Sequence, residues 1–117
     1  MIVLANTTDK IQIVLSGAIT TNQLKSVANW RDITATAYSA GRTLASSNDT
    51  TDVDIVGAPA ASTQRVIDMI NIHNSDTVSA TVTVKYDASG VEYVLCNKTL
   101  NADQILQYHD GTGWIVR

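Results

Sequence analysis

Apolar and polar side chains alternate along much of the second half of the chain, from Arg65 to Arg117. In the clearest segment, Thr77 to Tyr86, valine, alanine and tyrosine occupy one set of alternate positions and threonine, serine and lysine the other. A period of two residues is the pattern of a β-strand with one buried face. The short polar sequences NSDT, DASG, NADQ and GTG separate this segment and its neighbours. The second half is therefore predicted to be a series of strands and turns.

The first half of the chain shows a mixed pattern. Lys10 to Ser16 alternates and predicts a strand, and Leu4 to Asp9 predicts a short leading strand followed by a turn. Gln23 to Thr34 fits both the helical and the strand period, and we favour a strand because its flanks are rich in threonine and no helix cap is evident. Thr36 to Thr51 contains Gly41, two adjacent serines and an Asn-Asp pair, and is predicted to be a long irregular loop.

The segment from Ser62 to Asn74 is open to two interpretations. A helix would be capped by Ser62, whereas a strand would end at the turn signal Asn74-Ser75-Asp76. We favour the strand, because isoleucine is frequent in the segment. Its two faces would be Val66, Asp68, Ile70 and Ile72 on one side and Ile67, Met69, Asn71 and His73 on the other. Apolar residues on both sides are typical of a sheet that is covered on both faces.

Together these elements predict an all-β fold: one antiparallel β-sandwich domain over residues 1–117, jelly-roll-like, with about eight strands. A chain of 117 residues fits a single domain. Charged residues make up only 16% of the chain, and threonine, serine and asparagine fill the polar positions. Because neutral hydroxyl groups cost less to bury than charges, such a surface can meet another protein at modest desolvation cost.

The charge balance argues against nucleic acid and membranes as partners. The net charge is −3, no run of Lys or Arg exists and aromatic residues make up 5% of the chain, so no nucleic-acid interface is expected. No apolar run approaches ~20 residues, so no membrane span is expected. The start of the chain has neither a basic segment nor a long apolar stretch, and Cys96 is the only cysteine. Neither a signal peptide nor an internal disulfide is therefore expected.

Side chains suited to catalysis or metal binding are few and scattered. Cys96, His73 and His109 lie apart along the strand pattern, and a nucleophilic Cys-His pair needs direct hydrogen-bond reach. The acidic segment from Asn48 to Asp54 lacks the spacing of a calcium loop and is interpreted as a solvated acidic loop. No catalytic residue, cofactor or metal is predicted. A small hydrolase based on Cys96 or on a pair of Asp residues is the alternative from the enzyme class.

Three residues are predicted to bind a protein partner: Trp30, Tyr38 and Arg42. Aromatic residues and Arg are enriched in protein interfaces, and Tyr38 and Arg42 fall in the predicted loop. Trp30 and Trp114 are also able to stack on sugar rings. A strand-borne Trp in a small sandwich is, however, more often an anchor of the core or of an interface.

The C-terminal half contains a distinctive order of strands and turns. It runs Val66-x-x-x-Ile70-x-Ile72-x-Asn74, Val78 to Val84, Gly90, Leu100-Asn101-Ala102-Asp103, Tyr108 and Asp110-Gly111-x-Gly113-Trp114-x-Val116. The final strand follows a turn that is marked by Thr99, Leu100, Leu106 and Tyr108. This pattern resembles small virion structural proteins of tailed bacteriophages, in which a β-sandwich ends in such a strand. The first half of the chain has no comparable motif.

The resemblance implies a role in the virion, assembled in the host cytoplasm. The expected function is that of a capsid decoration (cement) protein, which stabilises the head by bridging subunits of the major capsid protein. It is expected to act as a symmetric homo-oligomer, a trimer. The alternative within the same group is a tail or head-fibre component that recognises host-surface glycans through Trp30, Trp114 or the tyrosines.

Overall fold

The computed structural model describes residues 1–117 and contains ten β-strands. They are β1 (Ile2–Leu4), β2 (Asp9–Leu15), β3 (Lys25–Ile33), β4 (Tyr38–Ser46), β5 (Val53–Val56), β6 (Gln64–His73), β7 (Ala80–Ala88), β8 (Val91–Leu100), β9 (Ile105–His109) and β10 (Gly113–Val116). There is no helix that is long and apolar enough to cross a membrane. The strand predictions for Gln23 to Thr34 and for Ser62 to Asn74 are confirmed by β3 and β6.

The strands form two antiparallel sheets. The six-stranded sheet has the order β10-β9-β6-β3-β4, with β1 paired to the first part of β6 beside β9. The four-stranded sheet has the order β5-β2-β7-β8. Local hairpins join β3 to β4, β7 to β8 and β9 to β10 within a sheet. The predicted antiparallel β-sandwich is confirmed, with ten strands where about eight were expected.

A core of 16 buried apolar residues lies between the two sheets. The four-stranded sheet contributes Ile11 and Ile13 from β2 and Val82 and Val84 from β7. The apolar positions that alternate in the sequence of these two strands therefore face the core, as predicted. Each fully buried Ile or Leu contributes roughly 1.5–3 kcal/mol to folding. The core therefore provides the main force that holds the sheets together.

A β-bulge in β6 reverses the faces of this strand. Asn29 of β3 pairs with Met69, but the next residue, Trp30, pairs with Ile67, so Asp68 is the extra residue. An extra residue shifts the side-chain alternation by one. Ile67 therefore joins the core, whereas Val66 lies outside the core cluster although it is buried. The predicted faces of β6 are wrong on the N-terminal side of the bulge, because the bulge was not foreseen.

The segment Thr36 to Thr51, predicted to be an irregular loop, contains the regular strand β4. β4 pairs with β3 residue by residue over all nine positions, without a shift in register. Gly41, which suggested a loop, lies opposite Trp30 and under its six-membered ring. A Cβ atom at Gly41 would lie 2.3 Å from Cη2 of Trp30. The loop prediction is therefore wrong, because this glycine makes room for an aromatic ring on a neighbouring strand.

Asn74 joins several segments at one end of the sandwich. Its side chain is fully buried, and Nδ2 donates to the carbonyl oxygens of Val78, Leu100 and Asn101 at 3.0, 3.0 and 3.2 Å. Its Oδ1 accepts a hydrogen bond from the backbone N–H of Asp76. Buried polar groups need such partners, so this one amide fixes the connection from β6 to β7 against the end of β8.

Asp76 holds a second loop at the same end. Its carboxylate accepts hydrogen bonds from the backbone N–H groups of Thr20, Thr21, Asn22 and Thr77. The bond from Thr20 is the largest cause that lowers the pKa of Asp76 to about 2, and the other backbone bonds outweigh the opposing effect of burial. The charged carboxylate therefore ties the segment between β2 and β3 to the segment after β6.

The Asp76 carboxylate and its four backbone hydrogen bonds, called the Asp76 clamp below, predict that the protein loses stability in acid. The pKa of Asp76 is lower in the folded state than its ordinary value of 3.8, so its contribution is complete above about pH 4 and is lost as the pH falls towards 2. We expect Asp76→Asn to be less stable than wild type at pH 7. Its unfolding free energy should also depend less steeply on pH between 4 and 2. Urea unfolding at several pH values measures both effects.

Some pH dependence should remain in the Asp76→Asn variant, since the pKa values of Asp9 and Asp49 are also lowered. For Asp9, burial raises the pKa, but the bonds from Asn6, Tyr86 and Ala5 together outweigh it. For Asp49, the bond from the backbone of Ile19 is the main cause. An Asp76→Asn variant with an unchanged pH profile would contradict the assignment of the clamp to Asp76.

Candidate interaction surface

The residues considered for nucleophilic catalysis lie on different parts of the sandwich. Cys96 pairs with the core residue Val84 and packs against the core from β8, where burial raises the pKa of its thiol. His73 of β6 and His109 of β9 belong to the other sheet, and their side chains point away from the core. His73 pairs with Asp103, with Nε2 and Oδ1 3.3 Å apart. The fold does not bring Cys96 and either His together.

The acidic residues between Asn48 and Asp54 each have a separate partner. Asp49 accepts hydrogen bonds from the backbone of Ile19 and from Gln23, and Asp54 accepts one from Gln12. Asp52 forms an ion pair with Lys85 at 2.7 Å. No group of three or more His, Cys, Asp or Glu side chains is arranged to hold a metal ion. These carboxylates act as local structural contacts.

Both tryptophan rings are engaged in contacts within the chain. The guanidinium carbon of Arg65 lies 3.8 Å from the ring centroid of Trp30, and Nε1 of Trp30 donates to Oγ1 of Thr43 at 3.2 Å. The rings of Trp114 and Tyr108 lie 5.1 Å apart, and Trp114 packs against the core. One face of Trp30 is therefore already covered by a cation, as in cation–π contacts generally.

Arg65 connects Trp30 to the neighbouring strands. Its Nε and Nη2 donate to the two carboxylate oxygens of Asp32 at 2.8 and 3.0 Å, and Nη1 donates to the carbonyl oxygen of Gly57 at 2.8 Å. The Arg65 side chain is 13% exposed and that of Asp32 is 21% exposed. A bidentate Arg–carboxylate pair is stronger and more directional than a single ion pair. This network braces β3 and β6 next to the bulge.

A group of apolar side chains lies on the outer face of the six-stranded sheet, defined as the side that points away from the core, and three of them, Ile33, Tyr38 and Leu44, are exposed. The strand register assigns residues to this face, because residues paired across antiparallel strands have their side chains on the same face. Its apolar side chains belong to neither the core cluster nor the residues packed against it. They are Val3, Val27, Ile33, Tyr38, Leu44, Val66, Met69, Ile105 and Ile115.

This outer face is also basic, although the whole chain carries a net charge of −3. Four of the eight Lys and Arg residues lie on it, namely Lys25, Arg31, Arg42 and Arg117. Asp68 is the acidic residue among them and pairs with Arg31 at 2.9 Å. The face therefore combines apolar side chains with a surplus of positive charge, the composition expected of a surface that binds an acidic protein surface.

The size of this outer face matches that of a protein interface. Its six strands contain 40 residues, and at about 3.4 Å along the strand and about 4.8 Å between strands these residues cover roughly 650 Å². A standard interface buries about 800 Å² on each partner. One copy of the chain can thus supply one side of an ordinary interface with this face alone.

The outer face of the four-stranded sheet has a different character. Its polar side chains bond to one another across strands: Gln12 to Asp54, Asn97 to Thr83, and Thr81 to Thr99. Lys85 is held between Asp52 and Glu92. Groups that satisfy each other in this way offer little free bonding capacity to a partner.

Of the three residues predicted to bind a partner, Tyr38 and Arg42 lie together on the outer face of the six-stranded sheet, and both are exposed. Trp30 lies on the opposite side of the same sheet, partly buried against the core. Sequence reasoning missed the neighbours of Tyr38 and Arg42 on this face, such as Val27 and Met69. The available signal was the presence of apolar residues on both faces of β6.

Comparison of the chain with protein-family models, with curated proteins and with solved structures finds no match.

Proposed function

We propose that this chain is a structural protein that docks onto a larger protein assembly through the outer face of its six-stranded sheet. The observation that carries the proposal is the composition of this face, which joins a group of outward-facing apolar side chains, three of them exposed, to a surplus of basic side chains. Exposed apolar side chains that are grouped on one face and rimmed by polar residues are typical of interaction sites.

We further propose that the assembly is the head of a tailed bacteriophage and that the chain is a capsid decoration protein. This step rests on the resemblance of the C-terminal half, from Val66 to Val116, to small β-sandwich virion proteins. In this role each copy spreads its contacts over neighbouring subunits of the major capsid protein. Lifting one subunit then requires several interfaces to break at once, which stabilises the shell.

The basic surplus on the outer face defines the chemistry of the partner. An acidic or hydroxyl-rich capsid surface would meet Lys25, Arg42 and Arg117 with complementary charge. Exposed charges are screened by salt within about 10 Å at 0.1 M ionic strength. Association with the particle should therefore slow as the salt concentration rises, whereas the apolar contacts should persist.

The valine at the centre of the outer face provides a direct test. Val27 is half-buried, between Leu44 on β4 and Asn71 on β6. We expect Val27→Glu to weaken rebinding to particles stripped of this chain by at least about tenfold, because an acidic group enters the apolar part of the interface without a partner. Rebinding is measured by co-sedimentation of the purified protein with stripped particles.

Val14→Glu is the matched control. Val14 is also half-buried on a central strand, but it pairs with Thr83 on the outer face of the four-stranded sheet. Circular dichroism should show both variants folded, and only Val27→Glu should lose binding. If Val14→Glu loses binding and Val27→Glu retains it, the docking face is the other sheet.

The location in the virion is tested by mass spectrometry and reconstruction of purified particles. The proposal requires a 12.5 kDa chain in the particle and density for the sandwich on the head. Particles without the chain would refute it. Density on the tail or on fibres would support the alternative role, which a glycan array then tests.

A further inference from the structure

The free strand edges of the sandwich differ in how they are protected against pairing with another chain. Edge strands are usually kept short, interrupted by bulges or furnished with charges that point inward. β1 has three residues, and β5 and β10 have four each. β8 has ten residues but contains a register shift next to Leu95. It also carries an inward charge, because Lys98 pairs with the core residue Val82 and therefore lies on the inner face of the sheet. These four edges are protected.

β4 is long and has no bulge or inward charge, and its one charged residue is Arg42, which points outward. It has nine residues, contains no proline and pairs with β3 without a bulge. Its inward-facing side chains are small and neutral: Ser39, Gly41, Thr43 and Ala45. On its outward side, Tyr38 is 63% exposed and Leu44 is 59% exposed. β4 is therefore a long and regular edge with apolar side chains, the type of edge that pairs with a further strand.

We propose that β4 pairs antiparallel with β4 of a second copy of this chain, with the two-fold axis at Gly41. This register places Tyr38 opposite Leu44 of the second copy, and Leu44 opposite its Tyr38. Ser39 lies opposite Thr43 of the second copy on the inner side. Cross-strand pairs of an aromatic with an aliphatic residue, and of two hydroxyl residues, are among those that stabilise antiparallel sheets.

Other registers fit less well. An axis at Arg42 would place the two guanidinium groups opposite each other, and like charges in that position are destabilising. An axis at Ala40 would pair Tyr38 with Arg42 and leave Leu44 beyond the ends of the paired strands. An axis between two residues would pair outer-face with inner-face side chains. The axis at Gly41 avoids all three problems and pairs Arg42 with the small residue Ala40.

The contact is small. Seven paired residues at about 3.4 Å each give a strip about 24 Å long, far less than the surface of a standard interface. We therefore expect a reversible dimer with a dissociation constant on the order of 100 μM. On a surface where copies sit side by side, the high local concentration favours such a pairing.

This inference goes beyond the proposed function by adding an oligomeric state to it. A two-fold pairing of identical edges predicts dimers, whereas the sequence-based expectation was a trimer. The two proposals fail separately, because the dimer is measured on the purified chain and the virion role on particles. A wild-type chain that is monomeric in solution but rebinds to particles would refute the pairing and leave docking through the outer face intact.

The test is sedimentation equilibrium of the purified chain from about 1 μM to about 1 mM, compared with two matched variants. Leu44→Lys introduces a charge on β4, and Val94→Lys introduces the same charge on the other long edge, where Val94 is 64% exposed. We expect wild type and Val94→Lys to approach twice the chain mass of 12.5 kDa. Leu44→Lys should raise the dissociation constant at least about tenfold.

A charge pair then tests the register. In the Tyr38→Glu/Leu44→Lys double variant, the introduced carboxylate lies opposite the introduced ammonium group of the other copy, twice in each dimer. We expect this variant to dimerise more tightly than either single variant, in a salt-dependent manner. Three results would overturn the inference: a wild-type chain that is monomeric at 1 mM, a mass of three chains, or dissociation by Val94→Lys but not by Leu44→Lys.

Discussion

Replacing Asn74 by Asp is expected to destabilise the protein by about 3–5 kcal/mol at pH 7. The two side chains have nearly the same shape, so the loss has an electrostatic origin. Nδ2 of Asn74 donates to the carbonyl oxygens of Val78, Leu100 and Asn101. In the variant, a carboxylate oxygen would face these three acceptors in a fully buried position. A typical domain is stable by only 5–15 kcal/mol, so this loss is a large fraction of the total.

The penalty should depend on pH in a defined direction. Burial and three facing carbonyl oxygens favour the neutral form of the new carboxyl group, so its pKa should rise above the unfolded value of about 3.9. A group with a raised pKa in the folded state loses stability as the pH increases. The difference in unfolding free energy between wild type and Asn74→Asp should thus be smaller at pH 3.5 than at pH 7.

Asn97→Asp is the control for this prediction. Asn97 also donates through Nδ2, to Oγ1 of Thr83, but Asn97 is exposed to solvent and Thr83 is only half-buried. We expect a change within about 0.5 kcal/mol, the usual range for surface substitutions. Urea unfolding of the three proteins at both pH values provides the comparison. Equal effects at Asn74 and Asn97 would show that Asn74 is not the buried connection described above.

Arg65→Leu is expected to cost about 2–4 kcal/mol of stability, the second largest effect. The substitution leaves the carboxylate of Asp32 without its bidentate partner and the carbonyl of Gly57 without its donor. It also uncovers one face of Trp30. Removing one member of a largely buried ion pair is costly because the other charge stays desolvated. Unfolding monitored by tryptophan fluorescence should report both the stability and the new environment of Trp30.

Arg31→Leu is the matched control on the same sheet. Arg31 pairs with Asp68 through similar distances, but their side chains are 32% and 38% exposed. Exposed ion pairs contribute about 0–1 kcal/mol, so we expect a small effect. In the double variant Arg65→Leu/Asp32→Ala, the loss should be less than the sum of the two single losses, since the two residues interact directly. Additive losses would contradict the coupling between Arg65 and Asp32.

The alternation of side chains was sufficient to predict β2, β7 and the overall class of fold, because one face of each strand is buried in a single core. It was not sufficient for β4. Gly41 has the local signature of a loop, but its cause is the Trp30 ring on the neighbouring strand. The bulge at Asp68 likewise leaves no signal in the period of β6, and it decides which of Val66 and Ile67 enters the core.

The grouping of side chains on the candidate interaction surface could be foreseen only in part, for the same reason. Tyr38 and Arg42 were identified by residue type, but their grouping with Val27 and Met69 depends on the order β6-β3-β4, a long-range property. Asn74 was recognised only as a turn residue. Its role as a buried donor depends on the carbonyl oxygen of Leu100, which lies 26 positions further along the chain. Such contacts become visible only when the sheets are assembled.

The difference between the two outward faces would limit how thickly this protein coats a surface, if it docks as proposed. One face is apolar and basic, whereas the polar side chains of the other bond to each other, as Thr81 does with Thr99. A copy bound through the first face would present the second, with its internally bonded polar side chains, to the solvent. Under the proposed docking we therefore expect a single layer, with the thickness of one domain, 19 Å along its shortest axis.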